Sequence, residues 1–240
     1  MLADSNDIAP QSGRLDPDIH LSCTVKLELI HFIADELPRW RDHPARPAAE
    51  AETKLTDTLC DHLNSAVYRS STWSHIQFRT ETSDEAHGGR TIDLTVKPLA
   101  AALIIEGRRH SQFDPLFPIE CKRLPTPKGT DRDEREYVTT SFGTTGGIQR
   151  FKLGYHGAAH TFAAMIAYIQ KESCSHWLDQ VNEWIRELAA TSNSLWSNSD
   201  ALQPLSDDPL TKVSTLRSEH WRVNGLGRCE LHHLWISLSQ

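Results

Sequence analysis

The chain is 240 residues long with 38% hydrophobic and 24% charged residues, which excludes collagen-like and wholly disordered architectures and suits one generous domain. A formal net charge of -7 argues against a protein that coats nucleic acid through bulk charge, but leaves room for an enzyme with a local basic groove. The longest apolar run, Phe162 to Ile169, is far short of a membrane span. Met1 to Pro10 is polar and acidic, with no export signal, and the five scattered cysteines (Cys23, Cys60, Cys121, Cys174, Cys229) include no CxxC pair. The expected setting is the cytoplasm, without a disulfide framework and without a membrane.

In chain order, residues 1 to 18 form a loose leader. Val25, Leu29, Phe32, Ile33 and Leu37 recur at helical spacing within His20 to Trp40, and Pro38 lies near the end of that helix. Residues 42 to 48 are a proline-marked connector. A second helix runs from about Ala49 to Asn64 on Leu55, Leu59 and Leu63. The period then falls to two. His75 to Glu81 and Thr91 to Lys97 alternate as strands around a turn at His87-Gly88-Gly89, while Ala101 to Glu106 and Phe117 to Lys122 are further strand candidates.

Pro125 to Glu136 is charged and marked by Pro and Gly, an exposed loop. Gly146-Gly147 opens a short helical region with Gln149, Arg150 and Phe151, and His160 to Gln170 is predicted as a buried apolar helix. Trp177, Val181, Trp184, Ile185 and Leu188 mark an amphipathic helix over 176 to 190. Residues 191 to 217 are expected to be irregular, and His220 to Val223, Asn224-Gly225 and Cys229 to Leu238 to form a hairpin. The order predicts an α/β fold: a central mixed sheet flanked by helices, with an N-terminal helix and a C-terminal helix plus hairpin. As a single domain, it divides into a leader and helix (1–48), a core (49–170) and a C-terminal elaboration (171–240).

The chemistry concentrates in Ile119-Glu120-Cys121-Lys122 and Ile92-Asp93-Leu94. In a strand, Glu120 and Lys122 project to one face while Ile119 and Cys121 take the other. Asp93 points away from the apolar side made by Ile92, Leu94 and Val96. If the two strands are neighbours, two carboxylates and an ammonium converge. That set suits a hard divalent cation whose bound water the lysine orients. The tripeptide alone is weak, since Glu52-Thr53-Lys54 repeats it on a helix. The competing reading is two exposed strand faces joined by an ordinary salt bridge.

These residues resemble the PD-(D/E)xK, or restriction-endonuclease-like, nuclease superfamily over roughly residues 50 to 170. Asp93 matches the first acid and Glu120-Cys121-Lys122 the (D/E)xK element; Ile92 stands where a proline is common, and the 27 positions from Asp93 to Glu120 require an inserted strand or loop. Glu52 matches the acid often found on the preceding helix, and Gly146 to Phe151 the glutamine-bearing helix start. The resemblance implies Mg²⁺-dependent hydrolysis of a nucleic-acid phosphodiester, with Mn²⁺ able to substitute and DNA favoured as substrate. It assigns the metal to Asp93, Glu120, the Cys121 backbone carbonyl and Glu52, the nucleophilic water to Lys122, an auxiliary role to Gln149, and nucleic-acid phosphate contacts to Arg150 and Arg123. A bacterial restriction or anti-phage setting, with a homodimer or a partner protein, is the corresponding expectation. The alternative is a catalytically silent nuclease-like module that binds nucleic acid or a protein.

Other candidates are weaker. His156 and His160 share helical spacing without a catalytic Glu between them, and His232 and His233 near Cys229 face opposite ways on a strand, so neither pair predicts zinc. Glu106 is an alternative acid. Arg108, Arg109 and His110, with Lys122 and Arg123, are candidates for a local basic groove. Trp177 and Trp184 read as core or a partner surface rather than as base-stacking residues.

Overall fold

A computed structural model describes residues 19–20, 24–48, 50–85, 89–100, 102–129, 132–141, 143 and 146–238. The expected leader, Cys23 and most of the His87-Gly88-Gly89 turn lie outside them. The elements in chain order are β1 (Ile19–His20), α1 (Val25–Arg41), α2 (Glu52–Arg69), β2 (Ile76–Ser83), β3 (Thr91–Pro98), β4 (Leu103–Ile105), β5 (Arg108–His110) and β6 (Phe117–Leu124). There follow α3 (Gly147–Lys152), β7 (Phe162–Ile169), α4 (Cys174–Ala189), a 3₁₀ turn at Asn198–Asp200, β8 (Gln203–Asp208), β9 (Val213–Trp221) and β10 (Arg228–Ser237). The fold is α/β. Seven strands form one mixed sheet in the order β2-β3-β6-β7-β10-β9-β8, with β6, β7 and β10 mutually parallel at its centre.

Two layers of helix bury the two faces. On one, α1 contributes Val25, Leu29, Ile33 and Leu37 and α2 contributes Leu55, Leu59, Leu63 and Val67, the spacing of a single helical stripe. They pack on Leu94, Val96, Ile119, Cys121 and Ile166. On the other, α3 and α4 bring Ile148, Phe151, Trp177, Val181 and Ile185 against Met165, Ala167 and Trp235.

Two expectations are corrected. The segment His160 to Gln170 is not a helix but the strand β7. Ala164, Ile166 and Tyr168 face one helical layer while Ala163, Met165, Ala167 and Ile169 face the other. A strand covered on both sides loses its polar alternation and reads as one apolar run. Residues 191 to 217 are not irregular throughout, since they hold the 3₁₀ turn, β8 and the start of β9. The Asn224-Gly225 hairpin is present, and its strands lie inside the central sheet, with β10 pairing β7 from Glu230↔Phe162 to Ser237↔Ile169. The long interval between Asp93 and Glu120 is taken up by β4 and β5, which pair with each other, β4 also pairing with β1, in a separate small sheet. Among the described residues no helix is long and apolar enough to cross a membrane.

Candidate active site

The site forms where two neighbouring strands part. β3 and β6 pair through Val96↔Phe117, Thr95↔Pro118 and Leu94↔Ile119, and the ladder stops before the next pair in register, Asp93 and Glu120. Beyond that point β6 keeps β7 on one side and loses its strand partner on the other. Carboxylates take that place. The Cys121 N–H donates to Asp93 Oδ2 at 2.8 Å and the Arg123 N–H to Glu52 Oε2 at 3.0 Å. A buried N–H left unpaired would be costly, so the two acids complete the strand's hydrogen bonding while lining its open edge. The Cys121 carbonyl shares that edge, because N–H and C=O of one strand residue point the same way. Glu52 arrives because α2 begins there: it is the first helical residue, placed by the Leu55 stripe that docks α2 on the sheet.

Charge is concentrated around Lys122. Its Nζ lies 2.8 Å from Glu120 Oε1, 3.3 Å from Glu52 Oε1 and 3.9 Å from Asp93 Oδ2. Burial alone would lower the lysine, but Glu120, Glu52 and Asp93 outweigh it and hold the ammonium above the ordinary lysine range. Glu120 is fully buried and its oxygens are engaged: Oε1 also accepts from Arg150 Nη1 at 2.7 Å, and Oε2 meets His156 Nδ1 at 3.1 Å. Burial pushes this carboxyl up, yet Lys122, His156 and Arg150 together hold it well below the usual carboxylate range. Asp93 has no such compensation. Burial, then the Glu120 charge, push its carboxyl up to about 7 against a weaker pull from Lys122.

Glu52, Asp93, Lys122, Arg150 and His156 line a cleft of about 410 Å³ with Arg90, Arg132, Glu136 and Tyr155, while Glu120 is fully buried and is not part of its lining. Arg90 stacks on Tyr155, its guanidinium 3.8 Å from the ring centre, and its buried Nη1 has no hydrogen-bond partner among the described residues. No family model, curated protein or solved structure matches the chain. The case for the site therefore rests on its geometry.

The structure brings together Glu52, Asp93, Glu120, Lys122 and Arg150, and leaves other sequence candidates elsewhere. Arg123 turns its guanidinium to the Glu50 carbonyl at 2.7 Å and is not among the residues lining the cleft. Gln149 Oε1 accepts from the Thr140 N–H at 3.4 Å, also away from the cleft lining. Arg150 contacts a carboxylate rather than standing free, and the amides of Gly147, Ile148 and Gln149 at the start of α3 are already bound to the carbonyls of Glu136, Tyr137 and Val138. Gly146 lets that turn sit so close: a Cβ there would stand 2.3 Å from the Thr139 Cα. Glu106 pairs with Lys26 at 3.0 Å, and Arg108, Arg109 and His110 belong to the small sheet. His156 and His160 are not helical; His160 meets Glu85 at 2.7 Å, and His156 enters the site. Sequence reasoning missed Arg90, Arg132, Tyr155 and the role of His156. Only Arg90 carried a usable signal, as a cation three residues before Asp93, just ahead of β3.

The α3 layer is anchored by a second polar system. Lys152 Nζ donates to both oxygens of Asp200 at 2.8 and 2.9 Å, all of it buried. His220 Nδ1 lies 2.7 Å from Asp200, and His220 Nε2 lies 2.7 Å from Ser218 Oγ. His233 links Ser218 at 2.8 Å to the Tyr137 hydroxyl at 2.7 Å, which accepts from the Trp235 indole at 2.8 Å. Burial lowers both histidines, so each is neutral, and the donors then run one way from Trp235 to the Asp200 carboxylate. Ser218, His220 and Asp200 stand in the order of an acyl-transfer triad. Ser218 is only 3% exposed, however, and its oxygen is already the acceptor for His233, so the chain acts as a brace beneath α3 and Arg150.

For a divalent cation the donors fit in kind. Asp93, Glu120, Glu52 and the Cys121 carbonyl are hard oxygens, and Asp93 is a carboxyl short of positive charge. The oxygens of Asp93 and Glu120 reach one nitrogen, at 3.9 and 2.8 Å, which brings them within about 7 Å of each other. In the arrangement seen, no group of three His, Cys, Asp or Glu side chains among the described residues is placed to hold an ion. Glu120 would therefore join a cation by exchanging Lys122 or Arg150.

Proposed function

We propose that this chain is a divalent-metal-dependent nuclease of the PD-(D/E)xK type, hydrolysing nucleic-acid phosphodiester bonds. The observation that carries the proposal is the meeting of Glu52, Asp93, Glu120 and Lys122 where β3 and β6 part, beside a cleft lined by Glu52, Asp93, Lys122, Arg90 and Arg150. Asp93 and Glu120, with Glu52 and the Cys121 carbonyl, would hold Mg²⁺ or Mn²⁺. When bound, the ion supplies Lewis-acid stabilisation of the phosphate and a more acidic water. Lys122 stays protonated among its carboxylates, so it donates to the attacking water or to a phosphate oxygen rather than accepting a proton. Arg90 and Arg150 neutralise phosphate charge, and His156 fixes the Glu120 carboxylate. A restriction or anti-phage role in the cytoplasm, acting on DNA as a dimer or with a partner, is the setting the resemblance suggests.

Incubation of the purified chain with single-stranded and duplex DNA and RNA, with Mg²⁺ or Mn²⁺, should give cleavage that chelation and Lys122→Ala abolish. Intact substrates under all conditions would sink the proposal. A second reading, a silent module that binds nucleic acid without cutting it, draws on the saturation of Glu120 by Lys122, Arg150 and His156. Titration with Mn²⁺ separates the two, because the silent module takes up no ion at Asp93.

A further inference from the structure

Glu120 stands behind the candidate cleft rather than on its wall. Two cations that do line the cleft, Lys122 and Arg150, both bond its Oε1, at 2.8 and 2.7 Å. His156, also on the wall, meets Oε2 at 3.1 Å. An ion arriving from the cleft therefore reaches Asp93 and Glu52 directly, but reaches Glu120 only where one of those three partners gives way. They are not equally held. Lys122 is 5% exposed and shares its ammonium among Glu120, Glu52 and Asp93, so moving it would strand three carboxylates. His156 is buried, with its ring edge-on to Phe151. Arg150 is 19% exposed, and Glu120 is the one carboxylate it pairs with among the described residues. Its backbone is pinned, the N–H donating to the Gly146 carbonyl at 3.0 Å and the carbonyl accepting from the Tyr155 N–H at 2.8 Å. Release of Glu120 is thus a swing of one side chain, with α3 left in place.

Neither half of such an exchange is favourable alone. If the guanidinium leaves, a fully buried carboxylate loses one of its compensating charges. If a dication enters with the guanidinium in place, two centres of positive charge contend for Oε1. Together the halves balance: the planar N–H fork of the arginine suits a phosphate, and the dication takes the vacated oxygen. We infer that Arg150 couples the two ligands of the cleft, a nucleic-acid phosphate drawing its guanidinium off Glu120 and so admitting the cation. The chain without nucleic acid then holds metal weakly, and each ligand strengthens the binding of the other by the same factor. This names the regulation of the proposed active site and rests on the nuclease reading for the identity of both ligands.

The test is an EPR titration of the full-length chain with Mn²⁺, with and without short phosphorothioate DNA, which resists cleavage, as single strand and as duplex. Asp93→Asn supplies the background of ions bound elsewhere, the DNA included. A phosphate that touches the ion directly tightens Mn²⁺ binding in any variant, whereas Arg150→Gln removes only the exchange. The gain in Mn²⁺ affinity on adding DNA should therefore be about fivefold larger in the wild type than in Arg150→Gln. Without any variant, Mn²⁺ should in turn tighten DNA binding by the wild type, read by fluorescence anisotropy. Equal gains in the two proteins, a larger gain in Arg150→Gln, or no mutual effect in the wild type would overturn the inference. Cleavage of ordinary DNA together with equal gains would refute this inference alone. A larger wild-type gain with ordinary DNA left intact would refute the nuclease reading alone.

Discussion

Replacing Asp93 with asparagine should make the protein more stable at pH 8, although Asp93 sits at the centre of the candidate site. The carboxyl is pushed up to about 7, first by burial and then by Glu120, from an ordinary 3.8. Between those values the folded chain retains a proton that the unfolded chain has released. Stability therefore falls as pH rises from about 4 to 7, and the whole cost is present above 7. At 1.36 kcal/mol per tenfold, the gap amounts to roughly 4 kcal/mol. The side chain is 29% exposed, and solvent screening reduces the figure to about 2 kcal/mol. Asparagine keeps an oxygen for the Cys121 N–H and carries no charge, so Asp93→Asn recovers that amount at pH 8. In a chain of this length the gain should appear as a rise in Tm of about 4–8 °C. Thermal or urea unfolding of both proteins without divalent ions, from pH 4 to pH 8, measures it. The difference should shrink towards zero at the acid end, as the unfolded chain's Asp93 takes up its proton too, and Mn²⁺ at pH 8 should stabilise only the wild type. A variant less stable than wild type at pH 8, or a difference independent of pH, would refute the electrostatic account.

Arg150→Gln removes the guanidinium from Glu120 and should strengthen Mn²⁺ binding about fivefold, as for loss of a competing charge pair of ~1 kcal/mol; unchanged or weaker binding in an EPR titration would show that Arg150 and the ion do not compete. His220 and His233 are held below their ordinary value by burial, so in acid the unfolded chain binds protons that the folded one refuses. In the Asp93→Asn background, urea midpoints should fall as pH drops below 6.5, and a flat profile would contradict the neutral, one-way chain. Gly146→Ala should cost about 2–3 kcal/mol: the Gly146 φ of -64 suits alanine, but the new Cβ would meet the Thr139 backbone, which cannot swing aside. Wild-type stability in that variant would mean the turn yields more easily than its contacts imply.

Local pattern carried several elements from residue to structure. The leucines of α2 mark its buried side, the alternation of residues 91 to 97 puts Leu94 and Val96 in the core and Asp93 opposite, and Glu120 and Lys122 share a face of β6. These follow from side-chain periods of 3.6 and 2 and need no knowledge of distant neighbours. β7 was illegible for the opposite reason. Its identity as a strand depends on being covered from both sides, and Phe162 to Ile169 contains no polar residue to show where one side ends and the other begins.

Which candidates would meet was equally beyond a linear pattern. Ile119-Glu120-Cys121-Lys122 and Asp93 advertise an acid pair and a lysine, but not the parting of β3 from β6 that opens the edge they line. Nor do they announce that Glu120 is claimed by Arg150 and His156, or that Arg123 turns away to Glu50. His156 follows α3 on the crossover between β6 and β7, and its place beside Glu120 is set by where that crossover returns to the sheet. Periodicity says which side of a strand or helix a residue occupies, because that is a property of a few consecutive peptides. The partners of a buried charge are chosen by chain closure over 30 or more positions, as between Glu120 and Arg150, and only the packed fold sets those distances.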